Sequence, residues 1–177
     1  MTEDSAAPDG ALPPLVLEQA KDARAVAALI ERAFGPGRYV KAAERLREHN
    51  HPLLDISHVA WFDGALVGCV RMWPIRIGAR PAVLLGPFAV DEAWRSRGLG
   101  AALILRAREA AEAAGHGLIL LVGDAPYFEP LGFQVVPPGR IAMPGPVDPR
   151  RVMFRELKPE AATELAGEVG AAAGDLG

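Results

Sequence analysis

Between Gly86 and Gly100 the chain reads GPFAVDEAWRSRGLG, and this stretch limits the available folds more than any other. Leu84 to Val90 is an apolar run interrupted by Gly86-Pro87, which predicts a buried strand carrying a bulge or a splay. Arg95-Ser96-Arg97-Gly98-Leu99-Gly100 follows. A helical pattern then runs to Ala114, with Leu99, Leu103, Ala107, Ala110 and Ala114 on one face. Glycines at the start of a helix let backbone N–H groups approach an anion, and the helix N-terminus adds partial positive charge. The flanking Arg95 and Arg97 strengthen that field. The segment predicts a cradle for a pyrophosphate at a strand-to-helix crossing.

A phosphate loop of the form GxxxxGK[ST] does not occur in the chain. The dinucleotide fingerprint GxGxxG fails because Gly100 is followed by Ala101, Ala102 and Leu103. The string resembles instead the R/Q-x-x-G-x-G/A motif of the GNAT superfamily of acetyl-CoA-dependent acyltransferases. Arg95 takes the first position, and Gly98 and Gly100 are the two glycines. Gly117 to Val122 reads as a buried strand, and Asp124 as the N-cap of a short helix over Ala125 to Leu131 with Pro126 in its first turn. The run Tyr127 to Phe133, YFEPLGF, resembles the Y-x-x-x-G-F ending of GNAT domains. The longer block VGDAPYFEPLGF is most similar to the YhbS-like branch of N-acetyltransferases. The resemblance extends over residues 15–158 and is most specific over residues 85–133.

This resemblance implies an α+β fold: a single GNAT-like domain whose mixed, mostly antiparallel central sheet is splayed at a bulge and flanked by helices. It implies acetyl-CoA as co-substrate. Backbone groups of Phe88, Ala89 and Val90 would hold the pantetheine arm, and Arg95, Ser96, Arg97, Gly98, Leu99, Gly100 and Ala101 would hold the pyrophosphate. The reaction implied is direct transfer of the acetyl group to an amine, on a small molecule or a protein. A backbone N–H near Val90 would polarise the thioester carbonyl. Arg38 and Tyr39, with the loop from Phe34 and the second helix, would line the acceptor pocket. The basic Arg38, Arg45 and Arg47 there suggest an acceptor with a carboxylate or phosphate besides its amine. Glu44, His49, His51, His58 or a water chain are the candidate bases.

One position departs from the pattern. The family tyrosine that protonates the departing thiolate lies four residues before the glycine of Gly-Phe, and here that residue is Phe128. Tyr127 is adjacent, but helical neighbours point about 100° apart. Tyr127 is therefore the remaining candidate general acid, with packing as its alternative role. The vacancy also leaves a different reading open, a non-catalytic acyl-CoA-binding sensor or regulatory module.

Composition sets wider bounds. A chain of 177 residues, 50% hydrophobic, suits one domain with a full core. The tails hold Glu3, Asp4, Asp9, Glu160, Glu164, Glu168 and Asp175 and no Lys or Arg. The formal charge of −3 becomes +4 once these seven carboxylates are set aside. That suits a polyphosphate ligand but is too weak for nucleic acid. The single cysteine, Cys69, excludes an internal disulfide and a cysteine-based metal site, and it falls in an apolar strand pattern. No metal site is expected. Neither a signal peptide nor a membrane span is evident, so a cytoplasmic location is expected. A homodimer is compatible with a domain of this kind.

Along the chain, residues 1–13 are expected to be a disordered tail, residues 14–158 the acyltransferase domain and residues 159–177 an acidic Ala/Gly-rich C-terminal tail. Leu15 to Leu17 reads as a strand, Lys21 to Phe34 as a helix and Tyr39 to His49 as a second helix. Ser57 to Phe62 and Ala65 to Ile77 are strands joined at Asp63-Gly64, and Arg80 to Val90 follows a turn at Gly78-Ala79. Arg140 to Met143 and Val152 to Leu157 are expected to form a hairpin-like pair. Glu160 to Val169 is expected to form a helical turn or two, weakened by its glycines.

Overall fold

Asp63 and Gly64 both adopt positive φ, 48° and 75°, the twist that a two-residue hairpin turn needs. They join β2 (His58–Phe62) to β3 (Ala65–Ile77), which pairs antiparallel with β4 (Arg80–Val90). This three-stranded ribbon is the centre of the computed structural model, which describes residues 10–35 and 41–172. Around it lie β1 (Leu15–Leu17), β5 (Leu118–Val122), β6 (Gln134–Val135), β7 (Ile141–Ala142), β8 (Val152–Glu156) and β9 (Gly167–Ala171). The helices are α1 (Ala23–Phe34), α2 (Ala42–Arg45), α3 (Leu99–Ala113) and α4 (Ala125–Phe128). The sheet runs β1-β2-β3-β4-β5-β8-β6, with β9 added to β3 and β7 to β9. Among the described residues only β4–β5 and β7–β9 are parallel. This is the mixed, mostly antiparallel α+β sheet expected.

Helices cover both faces. On one, α3 buries Leu99, Leu103, Ile104, Ala107 and Ala111 against Val70, Met72, Val83, Leu85, Ile119 and Leu121. The buried stripe thus includes Ile104 and Ala111, where the sequence pattern pointed to Ala114. On the other face, α1 packs Val26, Leu29 and Ile30 over Val59, Leu66, Cys69 and Ala89. Burial pushes the Cys69 thiol up to about 12, so it is a packing group and not a nucleophile.

Two segments differ from expectation. Glu160 to Val169 does not form helical turns leading into a free tail. Leu165 and Val169 are buried among Ile75, Ile77 and Leu84, and β9 pairs with β3 at Ile75 to Ile77. The unsatisfied edge of the long β3 recruits this segment, and Arg80 fastens it by donating to the Ala161 and Thr163 carbonyls. The domain therefore continues past Lys158. The expected hairpin of Arg140–Met143 with Val152–Leu157 is also replaced: β7 pairs with β9, and β8 pairs with β5 and β6. Short apolar runs do not specify their partner strand.

Two buried polar groups in this fold carry expected outcomes. Glu18 is 1% exposed at its side chain and accepts from Arg71 Nη2 at 2.6 Å and Nε at 3.1 Å. Glu18→Ala leaves that guanidinium unpaired and should destabilise by about 3 kcal/mol in urea unfolding. Glu18→Leu with Arg71→Met should recover most of the loss, because no charge is then stranded. His58 is buried, its Nδ1 has no hydrogen-bond partner among the described residues, and desolvation, opposed in part by a backbone hydrogen bond with Ile56 and aided by the Arg106 charge, lowers its pKa. The unfolded chain then binds this proton at higher pH than the folded one, so stability is full above pH ~6.5 and falls as pH drops below it. His58→Gln should flatten that limb of the Tm-against-pH curve, leaving the share of His116, which burial shifts the same way.

Candidate active site

The bulge at Gly86-Pro87 is present. Val70 pairs with Phe88 and Met72 with Leu85, so two residues of β4 face the single Arg71. Beyond it, β4 and β5 separate, since their pairing is limited to Val83↔Ile119 and Leu84↔Leu120. The Asp91 N–H bonds to Val67, so by antiparallel alternation Phe88 and Val90 turn their backbone groups away from β3 and into the gap. Ala89 does not share this role. It pairs with Cys69, is 3% exposed, and directs its backbone groups to β3. A strand presents alternate residues to each neighbour, so only two of the three expected backbone contacts face the gap.

Over the gap lies a cavity of about 840 Å³. The cradle forms its floor: Arg95, Ser96, Gly98, Leu99, Gly100 and Ala101 all line it. The two glycines are needed for different reasons. Gly98 is the N-cap of α3 at φ 86°, a conformation that side chains resist, yet a Cβ there would meet nothing within 4 Å. Gly100 is helical, and a Cβ there would stand 2.9 Å from the Tyr127 hydroxyl and 3.6 Å from Phe88 and Val90. The expected contact from Arg97 is redirected. Its guanidinium lies 5.5 Å from the Trp94 ring centroid and is not part of the lining. Arg95 lines the cavity and donates to the Val90 carbonyl at 3.4 Å.

Asp124 does not cap α4 with its carboxylate, which pairs with Arg151 at 3.2 Å; its backbone carbonyl accepts from Tyr127 and Phe128 instead. Phe128 is 4% exposed and wedged between Phe88 and Phe133, both edge-on at 5.8 and 5.9 Å. A Cβ on Gly123 would run into its ring. Phe128 is thus a packing residue in the cavity wall. Tyr127 is 42% exposed, stacked on Phe88 at 6.0 Å and 10° between planes, and lines the cavity.

The far wall was partly missed by the sequence. Arg47 donates through Nε to the Gly86 carbonyl at 3.1 Å and through Nη1 to Glu44 at 2.9 Å. Trp73 Nε1 donates to the same carbonyl at 2.6 Å. The bulge is thereby tied to the α2 region, a link that no local pattern announces. Of the candidate bases, Glu44 lines the cavity; His49, His51 and His58 do not. Arg38 and Tyr39 lie outside the described residues.

A sheet split at a bulge, with a glycine cradle at the split, is the architecture of an acyltransferase fold. The acetyltransferase (GNAT) domain family matches residues 54–135, and the chain has the GNAT fold. It is 28% identical over 117 residues to the uncharacterized N-acetyltransferase YhbS of Escherichia coli K12, spanning 64% of this chain and 69% of that protein. The crystal structure of E. coli YhbS in complex with CoA is similar at a TM-score of 0.78 and 25% identity, covering 93% of each chain. A Brucella melitensis GNAT acetyltransferase in complex with acetyl-CoA is similar at a TM-score of 0.68 and 25% identity, covering 90% of this chain and 96% of that one.

Proposed function

We propose that the chain transfers an acetyl group from acetyl-CoA directly to an amine, on a small molecule or a protein, that enters from the α2 side and also carries an anionic group. The observation that carries the co-substrate is the open gap between β4 and β5 with the Gly98–Gly100 turn at its mouth. Phe88 and Val90 hold the pantetheine arm as an added strand would, and the first turn of α3 binds the pyrophosphate. A thioester supplies the acyl group. The Val90 N–H polarises its carbonyl, and Glu44, or water beside it, takes the proton of the attacking amine. With Phe128 apolar, the departing thiolate, a weak base, takes its proton from solvent. Lys41, Arg47 and Arg151 line the acceptor side and support the anionic group.

The test is thiol release from acetyl-CoA against a panel of amino acids, amino phosphates, polyamines and peptides. Turnover of anionic amines supports the reading; turnover of polycations alone overturns the acceptor class. CoA binding without turnover of any amine would favour a sensor. We place the protein in the cytoplasm and as a monomer or homodimer, a state that sedimentation decides. Among the described residues no helix is long and apolar enough to cross a membrane.

A further inference from the structure

The Tyr127 ring is fixed from two sides, by the parallel face of Phe88 and the edge of Phe128 at 5.0 Å. Phe128 is itself wedged and buried, so the direction of the Tyr127 hydroxyl is set by packing. That direction leads to the first turn of α3: the oxygen stands 2.9 Å from where a Gly100 Cβ would be. The bulge at Gly86 has a different neighbour, Arg47 Nη2, at 3.1 Å from the corresponding point. The anion end of the cleft and its bulge are thus served by different side chains. Among the described residues the Tyr127 hydroxyl has no protein partner. Arg97, expected to supply a donor at this turn, is held on Trp94.

We propose that Tyr127 is a pyrophosphate ligand: its hydroxyl donates a hydrogen bond to the co-substrate's phosphate oxygens beside Gly100, and it is not the acid for the departing sulfur. This rests on the acetyl-CoA reading above. Desolvation raises the pKa of the phenol, so it remains a protonated donor at neutral pH. A hydrogen bond to a charged oxygen is stronger than a neutral one.

Calorimetric titration of wild type and Tyr127→Phe with CoA and with desulfo-CoA, which keeps the pyrophosphate and lacks the sulfur, separates the roles. The ring and its stacking survive the substitution, and circular dichroism confirms the fold. The expected result is a Kd raised about 10-fold for both ligands alike. Unchanged affinity for both, or a loss confined to CoA, overturns the assignment. Wild type that binds neither ligand overturns the acetyl-CoA reading itself.

Discussion

Gly100→Asp should raise the Kd for acetyl-CoA by at least roughly 100-fold, a loss of about 3 kcal/mol, in a protein that still folds. The Cβ would stand 2.9 Å from the Tyr127 hydroxyl and in contact with Phe88 and Val90, filling the floor of the cleft. The carboxylate then sits on the turn whose N–H groups are to bind a pyrophosphate. Gly100→Ala should show a milder loss of about 10-fold, since its methyl crowds the Tyr127 hydroxyl but brings no negative charge to the turn. Gly98→Ala behaves differently. It adds strain of about 1 kcal/mol at φ 86° and its methyl meets no protein atom within 4 Å, so a loss of Tm from backbone strain is expected. Wild-type affinity in folded Gly100→Asp would remove the cradle from the site.

Phe128→Ala should destabilise by about 3–5 kcal/mol in chemical denaturation. The ring is 4% exposed and packs on Phe88, Tyr127 and Phe133, which tie β4, α4 and the chain entering β6 together. Gly123→Val should reproduce part of that loss from the opposite side, because its side chain collides with the same ring. A loss below about 1 kcal/mol in Phe128→Ala would mean that the aromatic cluster does not support the cavity wall. The cluster explains why phenylalanine serves at this position: the space there is occupied by packing.

The local signals were carried well by sequence. Asp63-Gly64 specifies its hairpin because few residues accept two successive positive φ angles. Gly86-Pro87 breaks the apolar run of β4, and a bulge forms there. Gly98 and Gly100 mark the start of α3, since one needs a left-handed backbone and the other an uncovered one. These features depend largely on a residue and its immediate neighbours, so a local reading of the sequence finds them.

The tertiary structure decided which elements meet. Gly167–Ala171 becomes a strand because β3 extends to Ile77 and leaves backbone groups to pair, although glycine and glutamate favour no strand alone. Arg97 and Asp124, both aimed by the local pattern at binding or capping, are instead drawn to Trp94 and Arg151. Arg47 reaches across 39 residues of sequence to the Gly86 carbonyl, joining the acceptor wall to the bulge. The sequence determined that this chain has a bulged strand feeding a glycine cradle. Which side chains surround that cradle follows from long-range packing, whose partners no local spacing encodes.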